Sequence, residues 1–296
     1  MISSKESMKA LDKTRVRRSF DRQAPFYEET VQVQKRVVLQ LAAQLADSAD
    51  GNLPGRVLDV GAGTGMLLRL LRSLYPDALL VGIDQAAGMS QCGADPWQEK
   101  GAVLRLTGDA EHLPFAGGSF GLVVSTSTFQ WLNHLEQAFR EAMRVLAPGG
   151  CFRFALFGGS TLQELKACYR EAIREAGRPE EDRTHRFFSV GEVTDALGRA
   201  GFADCLVKAT VELEHYASVP SLLRSLRRIG AGNASIHGRR GLHSRKVMQR
   251  MSELYQQEFG GAQGIPVTYE VIWGAGRKSN APAVDMFNCR RNTIYF

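Results

Sequence analysis

An α/β fold on a mostly parallel sheet is predicted by three observations. Between residues 56 and 157, short apolar runs alternate with longer runs of helical period. A glycine-rich turn at 61–65 joins the first apolar run to the helix that follows it. Breakers punctuate the run ends, as in "GNLPG" before the first strand and "APGG" before the fifth. The runs are continuously apolar, as expected for strands covered by helices on both faces.

The elements follow in order. Residues 1–24 are polar and basic, and 1–54 is read as a helical segment ahead of a main domain at 55–278. "VQVQKRVVLQLAAQLA" (31–46) places Val37, Val38, Leu41 and Leu45 on one helical stripe. "RVLDVG" (56–61) is the first strand and "GMLLRLLRSLYP" the helix after it. "ALLVGID" (78–84), "AVLRLTGDA" (102–110) and "FGLVVSTST" (120–128) are the next three strands. "LEQAFREAMRVLAPGG" keeps Leu135, Ala138, Phe139, Ala142, Met143 and Leu146 on one helical face and stops at Pro148, Gly149 and Gly150. "CFRFALF" (151–157) is a fifth strand.

After it comes a helical insert at 158–188, then "SVGEVTDALGRAGF", opened by a capping box of Ser189 and Glu192. "CLVKATVELEHY" is a sixth strand and "VTYEVIWGAGRK" (267–278) the last. A second insert, 217–265, fills the space where a tight hairpin would serve, and inserts of that length usually carry function. No element is assigned to the tail, 279–296.

Composition narrows the class. With 44% hydrophobic and 23% charged residues the chain is an ordinary globular one. No run approaches a membrane span and the first twenty residues hold no apolar signal core, so a cytoplasmic protein with no membrane attachment is expected. Five cysteines, none in a C-x-x-C pair, predict neither a metal site nor a disulfide framework. The net charge is +6, yet no acid lies between Glu214 and Glu253 while eight cations do, which leaves the rest of the chain at about −2. Basicity this local points to a specific acidic partner.

Within that stretch, Val219, Leu222, Leu223, Leu226 and Ile229 form one helical stripe, and Arg224, Arg227 and Arg228 fall off it. Arginine captures carboxylate and phosphate with two parallel N–H donors, which makes these three and Arg245 candidate substrate-binding residues. No aromatic residues are interleaved for base stacking, so nucleic acid is not the expected partner.

The glycine turn carries the cofactor reading. "VLDVGAGTGM" puts Gly61, Gly63 and Gly65 between a strand and a helix, where a backbone without Cβ atoms lets a ligand approach free N–H groups. A nicotinamide dinucleotide turn would need glycine at position 66, which is Met66. The spacing D-x-G-x-G-x-G, led by Asp59, resembles class I S-adenosylmethionine-dependent methyltransferases. Asp84, with Gln85 beside it, ends the second strand where a carboxylate can accept both ribose hydroxyl protons. Asp109 and Ala110 end the third, suited to an adenine amino group and ring nitrogen, and Met89 is placed to pack on the adenine face. The resemblance covers residues 55–157. It implies a Rossmann-like, seven-stranded sheet with its last strand antiparallel, helical inserts forming a cap, and the methionine moiety of the cofactor near the glycine loop and Ser125.

The acceptor side is narrower. "STSTFQW" replaces the Pro-Pro-Tyr motif of base-amine methylation, and no Pro-Cys nucleophile occurs. Four stretches, "FDRQAPFYEETVQVQKRV", "SFGLVVSTSTFQWLNHL", "LFGGSTLQEL" and above all "SVPSLLRSLRRIGAGN…RGLHSRK…IPVTYEVIWGAGRK", resemble the biotin-pathway malonyl-[acyl-carrier protein] O-methyltransferases over nearly all of 18–278. That resemblance implies methylation of the free carboxylate of a malonyl thioester, with an acidic acyl carrier protein and its phosphopantetheine arm as partner of the basic segment 224–250. One of the arginines is then expected to orient the carboxylate. The alternative is a free small carboxylic acid or a quinone ring as acceptor.

Tyr27 is expected to close over the cofactor, and Gln130 and Trp131 to lie beside the acceptor, Trp131 as a wall. No general base is expected, because a carboxylate is already ionised at neutral pH. The family carries Asn at the position of Thr126 and Leu at that of Phe129, so a changed cofactor contact and a reshaped acceptor side are expected there.

Overall fold

The computed structural model describes residues 11–47, 54–92, 103–177, 182, 184–231 and 245–280. Arg239, Arg240 and the tail from 281 onward lie outside the described residues. The chain opens with three helices, α1 (Lys13–Gln23), α2 (Tyr27–Thr30) and α3 (Gln32–Asp47). The alternating core follows as β1 (Arg56–Val60), α4 (Met66–Leu74), β2 (Leu79–Asp84), α5 (Ala87–Cys92), β3 (Val103–Thr107) and β4 (Phe120–Thr126). It continues with α6 (Leu135–Val145), β5 (Leu146–Phe157), α7 (Gln163–Glu175), α8 (Val190–Arg199) and β6 (Ala203–Tyr216). Helices α9 (Val219–Arg228) and α10 (Arg245–Phe259) precede the last strand, β7 (Ile265–Arg277).

The seven strands form one sheet in the order β3-β2-β1-β4-β5-β7-β6. Strands β1 to β5 pair in parallel, and β7 runs antiparallel to both β5 and β6. This is the predicted architecture. Helices α3, α4, α7, α9 and α10 contribute to the core on one face, α6 and α8 to the core on the other. Each fully buried leucine of these layers, such as Leu58, Leu71 or Leu80, contributes about 2 kcal/mol of transfer free energy.

Local signals explain the boundaries. The capping box at Ser189 forms as expected: Ser189 Oγ accepts from Glu192 N–H (3.2 Å) and Glu192 Oε2 from Ser189 N–H (2.9 Å). Helix α9 begins at Ser218, whose hydroxyl accepts from Ser221 N–H (3.4 Å), with Pro220 in its first turn. One expectation is corrected. Helix α6 stops at Val145, and Leu146 already belongs to β5. Pro148 disfavours helical geometry at the residue before it, so the chain extends ahead of the Gly-Gly pair. In the N-terminal segment, α1 is capped by Asp12 accepting from Arg15 N–H (3.0 Å).

The strand order reverses direction between β1 and β4. Open parallel sheets bind ligands in the crevice that such a switch point opens at the carboxyl ends of the strands.

Candidate functional site

The crevice is a cleft that opens to solvent and holds about 730 Å³ of empty space. Three strand ends supply its floor. Gly61 and Gly63 come from the turn after β1, Asp84, Gln85 and Ala86 from β2, and Gly108, Asp109 and Ala110 from β3. Thr126, Ser127 and Thr128 enter from β4, and Met89 from α5. Gly63 takes a left-handed φ of 55°, and a Cβ there would stand in the cleft 3.6 Å from Met89 Cε. A Cβ on Gly61 would instead collide with the Thr128 side chain.

Asp84 is fixed from both sides. Gly63 N–H donates to Oδ2 and Ala86 N–H to Oδ1, each at 2.8 Å. Burial raises its pKa, and those two backbone donors act against the rise. A carboxylate has about four acceptor positions, so two remain for a diol. Met89 is 3% exposed and forms part of a small apolar cluster with Ala24 and Ala86. These groups fit an adenosine with its ribose: acid for the hydroxyls, apolar wall for the base, and a backbone without side chains where the ligand comes closest.

Of the cofactor residues expected from the sequence, the structure brings Gly61, Gly63, Asp84, Gln85, Met89, Asp109, Ala110 and Tyr27 to the cleft. Asp59, Gly65 and Ser125 are not among its lining. Asp59 is 1% exposed behind the turn, both its carboxylate oxygens lack a hydrogen-bond partner among the described residues, and burial together with the charge of Asp84 pushes its carboxyl up to about 8. Gly65 precedes α4 with φ 87°, and a Cβ there would press on the Arg105 guanidinium at 2.9 Å. Ser125 donates to Val60 O at 2.7 Å and ties β4 to β1, leaving the cleft to the three residues after it. A period-2 strand turns alternate residues away from one another, and no sequence motif marked which of 125–128 would face the ligand.

Sequence reasoning missed the lid. Helix α1 brings Val16, Arg17 and Phe20 to the cleft. Lys13 at its start donates to both oxygens of Asp109 (2.9 and 3.1 Å) and to Glu111 Oε2 (2.7 Å). Leu11 exchanges two hydrogen bonds with the Asn133 side chain (2.7 and 3.0 Å), and Asp21 accepts from Gly88 N–H (2.8 Å). Nothing in a lone lysine signals a partner ninety-six residues away. Replacing Lys13 by Met should leave the buried Glu111 short of a partner and lower stability by about 1–3 kcal/mol. Cofactor affinity should fall with it as α1 loosens; denaturant unfolding and calorimetric titration check the pair.

A second cavity, about 550 Å³, adjoins the first and shares Phe20, Tyr27, Ser127 and Trp131 with it. Gln34, Gln130, Phe157, Thr161, Leu162, His185, Phe187 and Tyr269 line it, and Leu226, Ile229 and Ala231 close one side. Trp131 stands at the junction, edge-on to Phe20 (5.7 Å) and stacked on His185 (4.9 Å). Burial depresses the His185 pKa to about 4, so the ring is neutral at pH 7. Ser127 and Leu162 take positive φ (53° and 58°), backbone strain of the kind that clusters at functional sites. Among the described residues, no group of three or more His, Cys, Asp or Glu is placed to hold a metal ion, and no helix is long and apolar enough to cross a membrane.

The expected acceptor residues divide. Gln130 and Trp131 line the second cavity. Arg224, Arg227, Arg228 and Arg245 do not, and all four are exposed. Helix α9 turns Leu222 and Leu226 inward and its three arginines outward, and Arg245 opens α10. Arg250, from the same basic segment, pairs with Glu175 (2.7 Å), an acid supplied by α7. Phe129 does not shape the acceptor side either: it is 1% exposed and packs on Phe139, Phe152 and Phe154 in the core. Thr126 does face the cofactor cleft.

Comparison with known proteins places this arrangement. A family model described as a methyltransferase domain matches residues 58–154. The YcgJ protein of Bacillus subtilis shares the fold at a TM-score of 0.58 and 19% identity, over 82% of this chain and 99% of its own. The malonyl-[acyl-carrier protein] O-methyltransferase of Dechloromonas aromatica is 35% identical, over 90% of this chain and 95% of its own. That of Geobacter sulfurreducens is 49% identical, over 90% of this chain and 100% of its own. At that identity and end-to-end coverage, the chain belongs to the malonyl-[acyl-carrier protein] O-methyltransferase family.

Proposed function

We propose that the chain transfers a methyl group from S-adenosylmethionine to the free carboxylate of a malonyl thioester on acyl carrier protein, an early step in making the pimeloyl moiety of biotin. The observation that carries this reading is the pair of cavities meeting at Phe20, Tyr27, Ser127 and Trp131, the first furnished for a nucleoside and the second free of lysine and arginine among the described residues.

The cofactor supplies an electrophilic methyl group on a sulfonium. In this reading Gly61, Gly63, Asp84, Gln85, Met89, Asp109 and Ala110 hold its nucleoside part, and Tyr27 and Ser127 lie where the two ligands meet. Phe20 and Trp131 wall the junction against water. No residue has to remove a proton from the acceptor, since a carboxylate attacks as it is. Transfer of a methyl group from a bound sulfonium to a carboxylate would cancel their opposite charges. A cavity of neutral, mostly apolar walls therefore solvates the reactants less well than water does and favours the transition state.

Helix α9 serves two ends in the same reading. Its Leu226 and Ile229 side the acceptor cavity, while Arg224, Arg227 and Arg228 face outward, where an acidic carrier would dock with its arm reaching past them. A cytoplasmic enzyme with neither nucleic acid nor membrane as partner follows from the same substrate.

Incubation with labelled S-adenosylmethionine and, in parallel, malonyl carrier protein, malonyl-coenzyme A and free malonate tests it. A base-labile methyl ester on the carrier thioester is expected, with acetyl and succinyl carriers inert. Transfer to free acids or to a quinone alone would replace the acceptor and keep the cofactor.

A further inference from the structure

Helix α3 packs Val33, Val37, Val38 and Leu41 into the core, and one amide interrupts that stripe. Gln34 is 9% exposed, lines the acceptor cavity, and its side chain makes no hydrogen bond among the described residues. Three other polar side chains of the cavity are engaged. Gln130 Nε2 donates to Ser127 O (2.6 Å), His185 Nε2 meets the Gln130 carbonyl oxygen (3.0 Å), and Thr161 donates to Glu270 O (3.2 Å) and accepts from Glu270 N–H (3.2 Å). The Gln34 amide faces the cavity with no partner among the described residues, so it is available to a ligand there.

We infer that Gln34 binds the acceptor's carboxylate and thereby selects a malonyl group over acyl groups that end in a methyl. This rests on the function proposed above. An ionised carboxylate drawn into this cavity needs donors, or burial raises its pKa until it takes up a proton and loses its nucleophilicity. Among the described residues, no lysine or arginine lines the cavity to supply them. The Gln34 amide has two N–H donors and no charge.

A neutral donor also suits the chemistry better than a guanidinium. The carboxylate gives up its charge as the ester forms, so a residue that binds the charge strongly must surrender that interaction at the transition state. An amide surrenders less, and it releases an uncharged ester more readily.

The test uses the full chain with S-adenosylhomocysteine present, so no turnover is needed, and compares wild type with Gln34→Leu and Gln34→Glu. Calorimetry with malonyl-pantetheine is expected to show binding about 10- to 100-fold weaker in Gln34→Leu. Gln34→Glu should bind more weakly still at pH 8 and recover as the pH falls toward 5, where the introduced carboxyl takes up a proton. Two controls separate recognition from structure. Affinity for S-adenosylhomocysteine should be unchanged, and Gln34→Leu should not lower the thermal midpoint, because it breaks no hydrogen bond among the described residues.

Equal malonyl-pantetheine affinity in wild type and Gln34→Leu overturns the inference alone. A lowered midpoint in Gln34→Leu overturns it too, since the amide would then be structural. Wild type binding malonyl-pantetheine no better than acetyl-pantetheine overturns the acceptor reading and the inference together.

Discussion

Substituting valine for Gly63 is expected to weaken binding of S-adenosylmethionine by more than about 100-fold, or roughly 2.7 kcal/mol, without unfolding the protein. Two effects add. Gly63 sits at φ 55°, where a side chain costs about 1–2 kcal/mol and a β-branched one is least tolerated. A Cβ there stands 3.6 Å from Met89 Cε, an ordinary contact, but the two methyl groups beyond it must occupy the cleft itself. The turn cannot shift aside freely, because Gly63 N–H is bonded to Asp84 Oδ2 and Gly63 O accepts from the Arg105 guanidinium (2.9 Å). Gly63→Ala keeps the backbone strain without the extra methyl groups and should lose only about 10-fold. Calorimetric titration with S-adenosylhomocysteine, alongside thermal unfolding, distinguishes lost binding from lost fold. Wild-type affinity in Gly63→Val would remove the cofactor from this turn.

The contrast between Gly61 and Gly63 shows where a sequence stops being legible. Both were readable as glycines of one strand-to-helix turn, and the mostly parallel sheet followed from the βα alternation, though the strand order that opens the cleft did not. Yet a Cβ on Gly61 meets protein, the Thr128 side chain, while one on Gly63 meets the ligand's space. Spacing alone assigns both to the cofactor. Asp84 and Asp109 were legible because they end consecutive strands, and a parallel sheet brings such ends to one side. The Lys13 clamp on Asp109 and Glu111 was not, since a contact across some ninety residues leaves no local pattern. Gln34 was visible only as a polar residue next to an apolar stripe. What made it meaningful, an amide that has no partner and lines a cavity without cations among the described residues, exists only once the helices are packed.

The surroundings of the α9 arginines were not legible for a related reason. Helical period shows which residues share a face and is silent about what that face meets. Leu222 and Leu226 turned to the core, so Arg224, Arg227 and Arg228 turned to water, and their role has to be argued from the surface.

Reversing all three, Arg224→Glu with Arg227→Glu and Arg228→Glu, is expected to raise KM for malonyl carrier protein by about 100-fold at low ionic strength, within the range over which charge steers association. None of the three has an ion pair or side-chain hydrogen bond among the described residues, so all are free to meet an acidic surface. The effect should shrink toward a few-fold above about 0.5 M salt, where screening acts within a few ångströms. KM for malonyl-coenzyme A should move far less, because it presents no extended acidic face. Arg227 and Arg228 also occupy the last turn of α9, where cations offset the helix dipole by about 0.3–1 kcal/mol each. Reversal therefore risks fraying the helix that walls the acceptor cavity. The matching glutamine triple decides between the two explanations: it removes the charges without placing acids at the helix end. A raised KM for the carrier in both triples, with salt dependence and an unchanged malonyl-coenzyme A reaction, places the carrier on α9. A rise that appears with both substrates and ignores salt would make these arginines stabilisers of the helix and nothing more.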